Sequence, residues 1–317
     1  MEAAGAASRS GGAHIRHAVP AAFALLFGVA LAGCALSRPF RSSVPDTATP
    51  PEERPFRFVQ ITDTHRGKAV HAWRFHEAIR QINALSNDVL FVLHTGDLAS
   101  NGLHPDNAPL ISNDLARLNY RVLAVPGNHD IIANEARRAQ GAAAYTNFIG
   151  PLATSFTTNG VRILALNTEP LRKPGAAIEG YDPISWLRTE LERDPLIPTI
   201  VAHHACDGPD YYNMESHPGW PAPSRVLWLD ALARGNVVAI VCGHFHRDEM
   251  FWNELGIPTY VASSIANFWG RQGSYRIYTL ERGRLSYHTV YLEDPAPEEL
   301  PARLDALTND VTATASP

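Results

Sequence analysis

The chain is poor in several things that would define it at once. Three cysteines in 317 residues leave no disulfide framework and no thiolate cluster to organise a fold. The net charge is −5 and no block of like charges occurs. The basic stripe that tracks a phosphate backbone is therefore missing, and a long nucleic acid is not an expected partner. No internal repeat occurs, which excludes a solenoid. The uncharged apolar run at residues 18–32 is shorter than the ~20 residues a spanning helix needs. What the chain does have is 45% hydrophobic residues, enough for one large globular domain with a full core.

The run at residues 18–32 follows Arg9 and Arg16 and closes on Leu31-Ala32-Gly33-Cys34. A basic start, an apolar centre and small residues at the end suit a signal peptide, and the ending resembles a bacterial lipobox, cut before a cysteine that is then acylated. Cleavage at an Ala-x-Ala-like site and an uncleaved anchor are the other readings. Acyl chains on Cys34, at about 0.8 kcal/mol per buried CH₂, would hold the protein on a membrane, outside the cytoplasm. The expected division is a lipoprotein-type signal at 1–34, a Pro/Ser/Thr-rich tether at 35–54, a domain at 55–294 and a polar tail at 295–317, with a short helix near 298–307.

From residue 56 short apolar runs alternate with helical patterns. Strands are expected at 56–62, 89–95, 121–125, 197–202 and 237–242, and helices at 71–85, 108–118, 183–193 and 223–234. Asn159-Gly160 marks a hairpin between 155–156 and 161–166. Antiparallel strands are expected at 258–263, 275–280 and 285–292. Alternating strands and helices with added β segments imply a layered α/β domain, two sheets packed together with helices outside.

Five of the apolar runs end in polar residues. Asp63-Thr64-His65 follows the first, Gly96-Asp97 the second and Gly127-Asn128-His129-Asp130 the third; His203-His204 and Gly243-His244-Phe245-His246 follow two later ones. Any one of these is compatible with an ordinary turn or a satisfied core histidine. Together they are a site, because ligands in open α/β sheets gather beyond the carboxyl ends of strands. Glycines suit a backbone that turns sharply beside a metal or a phosphate. Carboxylate, imidazole and amide donors without thiolate favour Zn²⁺, Mn²⁺, Fe or Co²⁺. Seven candidate ligands (Asp63, His65, Asp97, Asn128, His203, His244 and His246) exceed one tetrahedral site, so two divalent ions are expected, with Asp97 bridging them at ~3.5–4 Å. Two divalent ions carry +4; two aspartates and a hydroxide remove three, and the remaining positive charge attracts a phosphate oxygen.

This order of motifs, over residues 63–246, closely resembles the calcineurin-like metallophosphoesterase superfamily. The resemblance implies a four-layer α/β/β/α sandwich of two mixed sheets flanked by helices. It assigns Asp63, His65, Asp97 and His246 to one metal, and Asp97, Asn128, His203 and His244 to the other. His204 is then left behind the ligands or facing substrate. Purple acid phosphatases carry a tyrosine three residues after the bridging aspartate; here that residue is Ser100, which speaks against the coloured, redox-active iron form.

A water between two cations ionises near neutral pH and, as hydroxide, attacks phosphorus in line. His129 is placed to protonate the leaving group, with Asp130 holding its other nitrogen; the bland alternative for both is a hydrogen-bonded turn. The expected activity is hydrolysis of small phosphodiesters of cyclic nucleotide, glycerophosphodiester or nucleotide type. A phosphomonoesterase, a non-catalytic binding scaffold and a metal-sequestering lipoprotein are the alternatives. No protein partner is expected. The loop at 207–221, with Tyr211, Tyr212, His217 and Trp220, is either a lid or a surface loop. Asn267 and Arg271 are candidate substrate contacts. Cys206 and Cys242 either pair or lie buried as inert thiols. His94 is expected in the core, and His71, His76 and His104 on the surface.

Overall fold

In this computed structural model, which describes residues 55–303 apart from positions 267, 282 and 297, the apolar runs become strands of two sheets. The expected leader and tether, including Cys34, lie outside the described residues, as do Asn267 and the end of the tail. Among the described residues no helix is long and apolar enough to cross a membrane.

The first sheet has the order β11-β10-β1-β2-β3. Strands β1 (Phe56–Ile61), β2 (Val89–His94) and β3 (Arg121–Ala124) run parallel, while β10 (Ser274–Glu281) is antiparallel to β1 and β11 (Arg284–Tyr291) to β10. The second sheet has the order β4-β5-β6-β7-β9-β8. Here β5 (Val161–Leu166), β6 (Thr199–Ala202), β7 (Val237–Cys242) and β9 (Pro258–Val261) are parallel, with β4 (Ala153–Thr158) and β8 (Glu249–Trp252) antiparallel at the edges. The strand expected at 258–263 is thus parallel to β7 and antiparallel only to β8, a short edge strand whose four residues gave no pattern of their own. Asn159 and Gly160 both have positive φ (46° and 74°), the geometry of a tight hairpin turn.

Helices close both outer faces. The aliphatic outer surface of β1 and β2 packs with α1 (Ala69–Asn83), α2 (Ala108–Ala116) and α3 (Glu135–Phe148). The second sheet packs with α4 (Glu169–Arg172), α5 (Pro183–Arg193) and α6 (Ala222–Leu232). Between the sheets, Phe58 stacks on Phe91 and Tyr278 with centroids at 5.0 and 4.8 Å. This is the four-layer sandwich. Helix α5 starts where Pro183 follows Asp182, whose carboxylate accepts the Ile184 and Ser185 amides. Helix α3 has no apolar stripe to betray it; it is alanine-rich and is capped by Asn134.

One buried residue fixes the sheets to each other beneath the strand ends. The Gln60 amide donates to Thr95 Oγ1 (2.8 Å) in the first sheet's loop and to the Cys242 carbonyl (2.7 Å) in the second sheet, while its carbonyl accepts from Tyr278 OH (2.9 Å). A buried polar group satisfied on both sides costs little, and it sets the register of the two layers where the site is built.

Candidate metal centre

The five polar loops meet at one end of the sandwich because β1, β2, β3, β6 and β7 all point their carboxyl ends there. Backbone hydrogen bonds continue past the strands and tie the loops together: Asp63 N to Gly96 O (2.9 Å), His65 N to Asp97 O (3.0 Å) and Gly243 N to His204 O (2.9 Å). Five of the converging residues, Asp63, His65, Asp97, His244 and His246, have positive φ. Such backbone is strained for residues with a side chain, and strain concentrated at one place is characteristic of functional sites.

Asp63, His65, Asp97 and His246 form one group of potential ligands, and Asp97, His204 and His244 a second. In the first, His246 Nε2 lies 3.1 Å from Asp63 Oδ1 and 3.4 Å from His65 Nε2, which is 3.5 Å from Asp97 Oδ2. In the second, His204 Nε2 lies 3.2 Å from Asp97 Oδ2 and 3.2 Å from His244 Nδ1.

Each carboxylate is held by one oxygen and offers the other. Asp63 Oδ2 accepts from Thr62 Oγ1 (2.6 Å) and His244 N (3.0 Å), and Asp97 Oδ1 from His129 N (2.8 Å). Asp63 Oδ1, Asp97 Oδ2 and Asn128 Oδ1 are buried without a hydrogen-bond partner. Orphaned buried acceptors are costly, and the two aspartate oxygens, set among the His65, His204 and His246 rings, fit divalent cations. Glycines let the loops close: a Cβ on Gly127 would sit 2.2 Å from Asp97 Oδ1, and one on Gly243 2.0 Å from Thr62 Oγ1.

The electrostatics agree. Burial would raise the pKa of Asp63, but the charges of His246 and His204 beside it hold it well below the usual range. Burial likewise opposes ionisation of Asp97, and His204 and His65 overcome it. Burial opposes charge on His204, yet the Asp97 carboxylate overrides it and raises the pKa to about 10. The pocket favours positive charge between these side chains.

The structure corrects the assignment of His203. Neighbouring residues at a strand end face opposite ways, and it is His204 that turns toward Asp97. His203 points into the second sheet's core, with its ring against Trp220 and Trp228 (5.4 and 5.0 Å) and its Nε2 3.5 Å from Cys242 Sγ. Cys206 and Cys242 are buried free thiols.

Asp130 is also corrected. It does not meet the His129 ring, whose Nδ1 donates to the Ser100 carbonyl (2.9 Å). The tight turn, with Asp130 N bonded to Gly127 O, sends His129 outward and Asp130 inward. There the Asp130 carboxylate accepts the amides of Leu98 (3.1 Å), Ala99 (2.8 Å) and Gly127 (2.8 Å), clamping the Asp97 loop to the Asn128 loop. His129 is exposed at the mouth, edge-on to His65 at 4.9 Å.

Arg271 is not directed at the metal centre; Nη1 donates to the His246 carbonyl (3.1 Å) and the guanidinium lies over Trp269. His94 is a core histidine, between Thr64 Oγ1 and Gly96 N. His104 is partly exposed, but His71 and His76 are buried, contrary to expectation. His71 Nδ1 donates to the His65 carbonyl (3.0 Å), and His76 Nε2 meets Asp114 (2.6 Å).

Sequence reasoning missed the pairing of His217 with Asp210. In the aromatic loop, His217 Nδ1 bonds Asp210 Oδ2 (3.1 Å), and Asp210 is held by Arg247 and by the amides of Tyr212 and Asn213. The His217 ring lies 4.6 Å from that of His244, so this loop borders the centre. The pair is seven residues apart within a loop that has no regular spacing. Only the aromatic content marked it.

Residues 56–248 match the family model described as calcineurin-like phosphoesterase. Over 83 residues the chain is 39% identical to a probable cyclic nucleotide phosphodiesterase of Rhodopseudomonas palustris, a match covering 23% of this chain and 29% of that protein. Among solved structures it resembles a purple acid phosphatase from yellow lupin (Lupinus luteus) seeds (TM-score 0.50, 15% identity, 74% of this chain and 51% of that one). A dimetal phosphatase from Danio rerio is also similar (TM-score 0.48, 15% identity, 75% and 99%). At such identities the structural likeness is one of fold.

Proposed function

This chain belongs to the calcineurin-like phosphoesterase family and is a metal-dependent phosphoesterase, and from that premise we propose that it hydrolyses small phosphodiesters on a pair of divalent ions. The observation that carries the proposal is Asp97, whose free Oδ2 reaches both groups of ligands. Asp63, His65, Asp97 and His246 would hold one ion; Asp97, Asn128, His204 and His244 would hold the other. Such ions, of the Mn²⁺, Zn²⁺, Fe or Co²⁺ type, supply an ionised water and neutralise charge on the phosphoryl oxygens.

The chain's own part in bond cleavage falls to His129. Because Nδ1 donates to the Ser100 carbonyl, Nε2 is the nitrogen free to pass a proton to the departing oxygen. Asp130 serves by holding the loop that presents His129 and Asn128. The name of the Rhodopseudomonas palustris relative supports a diester over a monoester, and the exposed Trp269, with its ring 5.2 Å from that of His246, suits the organic part of such an ester. The proposal extends to location. The run at 18–32 ending in Leu31-Ala32-Gly33-Cys34 supports a lipid anchor at Cys34 that holds the enzyme on the outer side of a bacterial membrane.

The test is a panel of aryl diesters, aryl monoesters, cyclic nucleotides and glycerophosphodiesters, each with Mn²⁺, Zn²⁺, Co²⁺ or Fe²⁺. Preference for diesters is expected. Preference for monoesters makes the protein a phosphomonoesterase, and bound metal without turnover makes it a scaffold.

A further inference from the structure

Beside His244 the surface dips into a cavity of about 160 Å³. Cys206, Phe245 and Pro218 line it with apolar surface, and Arg172, Lys173, His217 and His244 supply its polar groups. A candidate ligand of the metal centre and two adjacent cations thus share one cavity. None of the residues given a metal-binding or proton-transfer role above accounts for those two cations.

The two cations are presented differently. Arg172, at the end of α4, is held by Glu169: its Nε (2.8 Å) and Nη2 (2.7 Å) both contact Glu169 Oε2, and Glu169 is buried. That leaves Nη1 as an oriented donor and offsets the charge of Arg172. Lys173 is exposed and makes no ion pair among the described residues, so the pair carries a net positive charge. A guanidinium fixed in place loses little freedom on binding an anion, and a neighbouring ammonium adds charge without demanding one geometry. The apolar part of the lining lowers the local dielectric and strengthens both contacts. A cavity needs only about 10–15 Å³ to hold a water, so this one has room for a compact anionic group on a short arm.

We propose that Arg172 and Lys173 form an anion subsite that selects phosphoesters carrying a second anionic group, phosphoryl or carboxylate, near the scissile phosphate. The inference rests on the metal centre binding the first phosphate, and it narrows the substrate class to dianionic or more highly charged esters of small molecules. His217, held by Asp210, lines the same cavity.

The test compares three inhibitors of bis(4-nitrophenyl) phosphate hydrolysis by the full chain loaded with Mn²⁺: propyl phosphate, propane-1,3-diyl bisphosphate and 3-(phosphonooxy)propanoate. The same compounds are compared as thermal stabilisers. In the wild type the two compounds with a second anion should bind at least tenfold more tightly than propyl phosphate, and which one leads tells whether the subsite prefers phosphoryl or carboxylate. In R172Q/K173Q that ratio should fall to near one. Removing Arg172 strands the buried Glu169, so K173Q is measured alongside and should lower the ratio at least threefold in a normally folded protein. Equal binding of all three by the wild type, or a ratio unchanged in both variants, overturns the subsite. If no phosphoester is hydrolysed, the proposed function fails, and the thermal shifts alone still decide the subsite by the same ratios.

Discussion

His204 Nδ1 lies 2.7 Å from the Thr95 carbonyl across the two sheets. Nδ1 is therefore the donor there, and Nε2, 3.2 Å from Asp97 Oδ2, is the nitrogen left to take a metal ion. The hydroxyl of the same residue, Thr95, receives Gln60, so one residue both orients the ligand and joins the layers.

Exchanging the roles of the adjacent histidines gives the first prediction. His204→Ala should reduce bound metal from two equivalents to about one and abolish most activity. His203→Ala should keep both equivalents while losing roughly 2–5 kcal/mol of stability, the cost of a cavity between Trp220 and Trp228. Metal analysis together with urea denaturation checks both.

His129→Ala should retain metal and lose roughly 10²–10⁴-fold in turnover. The loss should be larger for alkyl than for 4-nitrophenyl leaving groups, since only the former need a proton. A plot of rate against leaving-group pKa, for wild type and variant, measures the effect; parallel lines would remove His129 from the proton transfer.

Gly127→Ala brings a methyl group to 2.2 Å from Asp97 Oδ1. The aspartate or the Asn128 loop has to move, so metal affinity should fall at least tenfold with little change in secondary structure. Titration with Mn²⁺, followed by calorimetry, reports it.

Acid stability should depend on Asp114. Burial would raise its pKa, but the hydrogen bond and charge of His76, with Arg66 beside it, lower it below 3.8. A carboxylate with a lowered folded pKa contributes stability that is fully present above its unfolded pKa and is lost as pH falls through the folded value. Between pH 6 and pH 3 the metal-free wild type should therefore lose more stability than Asp114→Asn, compared by urea midpoints.

The strand ends were legible because each apolar run stops at a polar cluster, and the order of those clusters is specific to the family. Which of His203 and His204 faces the metals was not legible. All four residues of β6 are buried, so no alternation of apolar and polar residues reveals which face fronts the site. The role of Asp130 was hidden for a related reason: adjacency to His129 suggests a pair, while the tight turn sends the two side chains apart. His71 and His76 read as surface residues because their partners, the His65 carbonyl and Asp114, are set by packing rather than by spacing. Helix α3 was missed because alanines without a stripe carry no periodic signal.

The most direct test of the central claim is anomalous diffraction from crystals soaked in Mn²⁺. Two peaks ~3.5–4 Å apart, each within bonding distance of Asp97 and with His204 on the second, are predicted. A single peak, or a second one held by His203, would contradict the account.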